Sequence, residues 1–142
     1  YDFVIDAIDS LTNKLDLIEF CLANQCVIFS CMGMAQKLDP EKIKSGDIWK
    51  TEGCPLARLV RNGLRKRHIK DHFTVVYSKE RLPLHSDVKT GCGSGNCLCP
   101  KGSANIEWCS KKKVINGSSV TVTASAGMLL ASLVIRNVVS SG

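Results

Sequence analysis

The chain has 142 residues, 44% of them hydrophobic, and Lys+Arg 19 against Asp+Glu 13 gives a formal net charge of +6. That length supports one ordinary core and is too short for two comfortable domains, so a single domain over residues 1–142 is expected. The moderate positive excess favours a polyanionic partner or ligand over an acidic-surface role.

The chain starts without Met, inside an apolar run, and reads as the later part of a longer protein. Asp2 to Ile8 has the pattern of a short, fully buried strand of a parallel sheet. Ser10 follows as an N-cap, and Leu11, Leu15, Ile18 and Leu22 recur at helical spacing. The stretch "CVIFSCMG" then begins a second buried strand, which completes one strand-helix-strand crossover unit. Lys42 to Trp49 is a candidate edge strand among Lys, Asp, Pro and Gly punctuation. Pro55 suits the first position of a helix. In "PLARLVRNGLRKRH" the residues Leu56, Leu59, Val60 and Leu64 share one face, and Arg58, Arg61 and Arg65 fall on the other. Gly63 weakens that helix slightly. Phe73 to Ser78 is a further strand, residues 79–117 form a long Cys- and Gly-rich loop, and an apolar helix closes the chain.

The apolar stretch from Ser118 to Val139 contains Ser, Thr and Arg136, so a buried helix is expected rather than a membrane span. No signal peptide is visible in these residues. Of the eight cysteines, Cys21, Cys26 and Cys31 sit in apolar or helical surroundings as small buried hydrophobes. A cytoplasmic location, with reduced thiols and no membrane partner, is the corresponding expectation.

Open α/β sheets bind ligands in the crevice beyond the carboxyl ends of their strands. Asp6 lies near such an end and Asp9 just past it. A carboxylate there can hold Mg²⁺ against a phosphate, or Asp9 can simply turn the chain before Ser10; spacing leaves both readings open. The glycines of "TGCGSGNCLCPKG" do not make a phosphate loop, because no strand precedes them and no helix follows. Cys92, Cys97, Cys99 and Cys109 can close a tetrahedral Zn²⁺ site, with His85 as a substitute ligand, or remain free or redox-active thiols. Cys54, just before a helix N-terminus, is either a reactive thiolate or a packed structural thiol. The face of Arg58, Arg61 and Arg65, extended by Lys66, Arg67 and Lys70, suits nucleic-acid phosphates or bulk solvent equally well. No aromatic residue interleaves this basic helix, so contacts to backbone rather than to bases are expected.

"YDFVIDAIDSLTNKLDLIEFC", "SCMGMAQKLDPEKI", "DIWKTEGCPLARLVRNGLRKRHI" and "VVYSKE" resemble the second half of the ThiF/MoeB/HesA adenylating enzymes. The resemblance runs from Tyr1 to about Leu82 and resumes at "NGSSVTVTASAGMLLASLVIRNV". "MGMAQKLDP" and "KTEGCPLARLVR" point to the branch that acts on the threonylcarbamoyl group of a tRNA adenosine. The resemblance implies an α/β fold, the C-terminal half of a Rossmann-like ubiquitin-activating-type fold with a mostly parallel sheet and flanking helices. It implies ATP and Mg²⁺ as cofactors, Asp9 as the Mg²⁺/ATP aspartate, tRNA as partner and a homodimer. The implied reaction is adenylation of the threonylcarbamoyl carboxylate followed by cyclising dehydration, and the present chain by itself is expected to be inactive, since the Gly-rich nucleotide loop would precede Tyr1. The competing expectations are adenylation of a ubiquitin-like sulfur-carrier C-terminus, with a sulfur-transfer protein as partner, and a dimerisation and RNA-binding module without catalysis.

Overall fold

A computed structural model describes residues 1–81 and 117–141. In chain order the elements are β1 (Phe3–Asp6), α1 (Leu11–Ala23), β2 (Val27–Cys31), a 3-10 turn (Pro40–Lys42), β3 (Ile43–Asp47), a second 3-10 turn (Ile48–Lys50), α2 (Pro55–Lys66), β4 (Thr74–Ser78) and α3 (Val120–Ser141). The four strands form one sheet in the order β1-β2-β4-β3. β1, β2 and β4 run parallel, so Asp6, Cys31 and Ser78 end at one edge; β3 runs antiparallel to β4.

Side chains alternate across the strands, and the alternation divides the core in two. Ile28, Val75 and Tyr77 face α1 and α2, where they meet Leu15, Ile18, Cys21, Ala57, Val60 and Leu64. Phe29 and Val76 face the other way, onto Val122, Ala126 and Leu130 of α3. Helices thus cover both faces of a mostly parallel sheet, the three-layer solution such strands require.

α1 and α2 come close because Gly63 lies against Leu15. A Cβ at Gly63 would sit 2.9 Å from Leu15 Cδ2 and closer still to Cδ1. The residue that costs α2 some helical stability is therefore also the one that lets the two helices meet. Pro55 takes the first position of α2. Gly53, at φ 72°, makes the preceding turn beneath the Lys79 carbonyl, 2.7 Å from where a Cβ would be.

Several elements differ from their sequence reading. β1 is shorter than Asp2 to Ile8 and, among the described residues, pairs only with β2; Ile5 on it is 52% exposed. The edge strand stops at Asp47, whose carboxylate accepts the Trp49 N–H at 2.8 Å and bends Ile48–Lys50 into a 3-10 turn. Ser10 occupies the N-cap position of α1 without a side-chain capping bond. Leu59 lies outside the buried stripe of α2, which is Ala57, Val60 and Leu64. Cys21 is buried, but Cys26 and Cys31 are only half-buried. The largest difference is in α3: one stripe packs on the sheet, while Val120, Met128, Ile135 and Val139 are exposed on the opposite side. By length and composition alone this helix is long and apolar enough to cross a membrane.

Candidate active site

The carboxyl edge of the sheet is organised around Asp6. Asp6 and Ser30 are register partners on β1 and β2, and Lys14 enters from α1 to face both. Lys14 Nζ lies 2.5 Å from Asp6 Oδ2, 3.3 Å from Ser30 Oγ and 2.9 Å from the Cys31 carbonyl oxygen. Ser30 Oγ donates to the same Asp6 oxygen at 2.5 Å, and the Ile8 N–H donates to Oδ1 at 2.9 Å. The side chains of Lys14 and Asp6 are both 0% exposed. A buried charge pair survives only when its remaining donors and acceptors are also matched, and here they are.

Asp6 therefore has no oxygen facing solvent. It joins β1, the β1-α1 turn, α1 and β2 at one point. Asp9, three residues on, is exposed on that turn and has no hydrogen-bond or ion-pair partner among the described residues. Mg²⁺ takes one or two carboxylates together with phosphate oxygens. Asp9 presents an exposed carboxylate at this edge, whereas both Asp6 oxygens are engaged inside the protein.

A second lock lies at the same edge. Lys37, 1% exposed, donates from Nζ to the Glu80 carbonyl. The Glu80 carboxylate accepts the Leu38 and Asp39 N–H groups at 3.0 Å. These bonds tie the segment after β2 to the end of β4. Cys54 is buried at the N-cap of α2 with its Sγ 3.8 Å from the Gly33 carbonyl, the setting of a packed thiol. Burial raises the Cys31 thiol to about 11.

The basic helix separates into residues of different kinds. Arg61 donates to the Thr51 carbonyl at 3.0 Å and to Thr51 Oγ1, so it joins α2 to the preceding turn. Arg67 pairs with Asp16 and Glu19 of α1, each at 2.6 Å. Arg58 and Arg65 are exposed, and the Arg65 guanidinium lies over the Trp49 ring, 5.4 Å from its centroid. The fold thus supplies an aromatic partner that linear spacing around α2 did not. Cys92, Cys97, Cys99, Cys109 and His85 lie outside the described residues. Among the described residues, no group of three or more His, Cys, Asp or Glu could hold a metal ion.

Lys14 is the site residue that periodicity missed. It occupies the same helical stripe as Leu11, Leu15 and Ile18, and a lysine inside an apolar stripe facing an acid-tipped strand is the signal that would have found it.

No family model matches the chain. A tRNA threonylcarbamoyladenosine dehydratase of Bacillus subtilis is 33% identical over 137 residues, covering 96% of this chain and 50% of the relative. The tRNA threonylcarbamoyladenosine dehydratase 1 of Saccharomyces cerevisiae is 41% identical over 87 residues, covering 61% of this chain and 20% of the relative. The solved structure of the Escherichia coli tRNA N6-threonylcarbamoyladenosine dehydratase in complex with ATP superposes with TM-score 0.74 at 25% identity, covering 99% of this chain and 49% of that one. The same enzyme in complex with AMP gives TM-score 0.72. The relatives and structural neighbours it matches are of the ThiF/MoeB-type adenylating-enzyme class. Within that class its named relatives are tRNA threonylcarbamoyladenosine dehydratases, and it spans about half the length of the bacterial ones.

Proposed function

We propose that the protein carrying this chain is an ATP-dependent tRNA threonylcarbamoyladenosine dehydratase. The observation that carries the reading is the exposed Asp9 carboxylate, held at the carboxyl edge by the Asp6, Lys14 and Ser30 cluster, in a chain that superposes on an ATP-bound dehydratase.

In this reading a carboxylate oxygen of the threonylcarbamoyl group forms a bond to the α-phosphorus of ATP, and pyrophosphate leaves. An internal nucleophile of the same group then attacks the activated carbonyl, the ring closes, and AMP departs with the carboxyl oxygen. Asp9 would hold Mg²⁺, and the ion's chemistry there would be charge neutralisation at the phosphates. Asp6 contacts none of the reacting atoms in this scheme. It is a positioning residue, and with Lys14 and Ser30 it fixes where the Asp9 turn projects. Rigid placement of this kind is how an enzyme with little covalent chemistry of its own lowers a barrier.

The exposed side of α3 supports a homodimer in which a second copy covers Val120, Met128, Ile135 and Val139. In the same reading Cys92, Cys97, Cys99 and Cys109 hold Zn²⁺: about one zinc per chain by elemental analysis supports it, and none removes it.

The test is pyrophosphate release by the full-length protein with ATP, Mg²⁺ and tRNA bearing threonylcarbamoyladenosine. Release that depends on that modified tRNA supports the reading. Release that depends instead on a ubiquitin-like protein ending in Gly-Gly overturns it in favour of sulfur-carrier activation.

A further inference from the structure

At the opposite edge of the sheet, beside the start of β4, lies a cleft of about 380 Å³ lined by Trp49, Arg65, His68, Ile69, Lys70 and His72. β4 runs five residues, on the order of 15 Å, so the cleft is well separated from the Asp9 edge.

Its shape comes from the way α2 ends. His68 adopts φ 59°, its N–H bonds to the Arg65 carbonyl at 3.1 Å, and the Ile69 N–H returns to the Leu64 carbonyl at 3.0 Å. That paired closure reverses the chain and brings Ile69 and Lys70 back beside the last turn of α2. The other wall is Trp49, whose Nε1 donates to the Asp71 carbonyl at 2.9 Å and so fixes the ring. Arg65 covers the ring and donates to Asn62 Oδ1 at 3.0 Å.

The lining residues include the cations Arg65 and Lys70 and no carboxylate, while Asp71 adjoins them in the chain. The nearby Asp47 is already engaged, with Oδ1 on the Trp49 N–H and Oδ2 2.8 Å from His72 Nδ1. Among the described residues, neither Arg65 nor Lys70 forms an ion pair. A fixed indole, a stacked guanidinium and an aliphatic wall beside unpaired cations match an unpaired base with its phosphate. An acidic peptide would use the cations but not the flat ring stack.

We infer that this cleft is an RNA-contacting subsite that takes one unpaired base on the Arg65–Trp49 pair beside Ile69, and its phosphate on the Arg65 edge and Lys70. The inference rests on the proposed tRNA substrate only for which RNA is bound. It places an anchor on the RNA at a distance from the reacting adenosine.

The test measures binding by the full-length protein of two probes, a tRNA transcript and a short single-stranded RNA, across a salt series. Arg65→Glu combined with Lys70→Glu should weaken binding about tenfold or more and make the salt slope shallower by about two phosphates. Trp49→Leu should weaken it by about tenfold while Trp49→Phe stays within about threefold, because only the second keeps a stacking face. The exposed Lys70→Glu change alone, at a site that leaves the core untouched, should lower the slope by about one. ATP binding is followed in parallel and should not move. Wild-type affinity and slope in the charge-reversed protein overturn the subsite, as does failure of the unmodified protein to bind either probe. Polyglutamate serves as a control ligand alongside the two RNA probes, and loss of its binding in the charge-reversed protein with RNA binding intact overturns the subsite in favour of an acidic protein partner. Because pyrophosphate release is a separate readout, the subsite and the dehydratase reading can fail independently.

Discussion

Lys14 Nζ lies 2.5 Å from Asp6 Oδ2 with both side chains wholly shut off from solvent. The pair joins the first strand to the first helix immediately before the turn that carries Asp9. Lys14→Met should leave an uncompensated buried carboxylate and lower unfolding stability by roughly 3–5 kcal/mol. Adding Asp6→Leu should recover much of the loss, since an apolar pair of similar volume removes the stranded charge. Urea titrations of the single and double variants decide it, and a double variant no more stable than Lys14→Met would show that the pair is not the source of the effect.

Asp9→Asn should behave in the opposite way. The residue is exposed and nothing in the core depends on it, so the melting temperature should stay within a few degrees, about 0.5 kcal/mol or less in stability. Pyrophosphate release by the full-length protein should fall by about a hundredfold or more, the scale of losing a group that stabilises developing charge. Unchanged release would remove Asp9 from the site.

Gly63→Ala sets two effects against each other. The substitution gains up to about 1 kcal/mol of helix propensity. It also drives a methyl group into the buried Leu15 side chain, an overpacking cost of roughly 1–3 kcal/mol. The net expectation is destabilisation by about 1 kcal/mol, and pairing the change with Leu15→Ala should relieve it. Greater stability in the single variant would mean that α1 and α2 can separate without penalty.

The Cys31 thiol, raised by burial to about 11 from 9.0, sets a direction for pH dependence. The folded state holds this proton more tightly than the unfolded chain does. Its contribution is intact below about pH 9 and is lost as pH rises towards 11, because the unfolded thiol ionises first. Stability should fall over that interval, and Cys31→Ser should flatten the fall. Equal slopes for the two proteins would assign the alkaline loss to other groups.

The uncovered side of α3 leads to a prediction about assembly. Met128→Glu together with Ile135→Glu should convert a dimer to a monomer in sedimentation while leaving the buried stripe of Val122, Ala126 and Leu130 in place. A wild-type protein that sediments as a monomer would remove the second copy as the cover for this face.

The sheet strands and the three helices were legible because their periodicities are clean: apolar runs at Val27–Cys31 and Thr74–Ser78, and i, i+3, i+4 stripes in α1 and α2. The exposed place of Asp9 just past a strand tip was legible, while its Mg²⁺ role is implied by the family resemblance alone. What escaped the reading depends on contacts between distant residues. A lysine counts as polar until Asp6 and Ser30 are seen on either side of it. Arg61 looked like part of an outward basic face until the Thr51 carbonyl was seen to receive it. Trp49 and Arg65 are sixteen positions apart, beyond any helical spacing, and only the turn after β3 stacks them. The degree of burial of α3 was equally hidden, since composition reports how apolar a helix is and not how much of it has something to pack against.

The division of the core into two clusters also bears on synthesis. Among the described residues, everything that packs on Ile28 and Val75 is encoded before or close to β4, so that side of the sheet can close while translation continues. Phe29 and Val76 wait for α3, which follows the whole intervening segment. Until that helix leaves the ribosome, the nascent protein presents a half-finished sheet with one greasy side open, the kind of surface that chaperones bind and that aggregates when they do not.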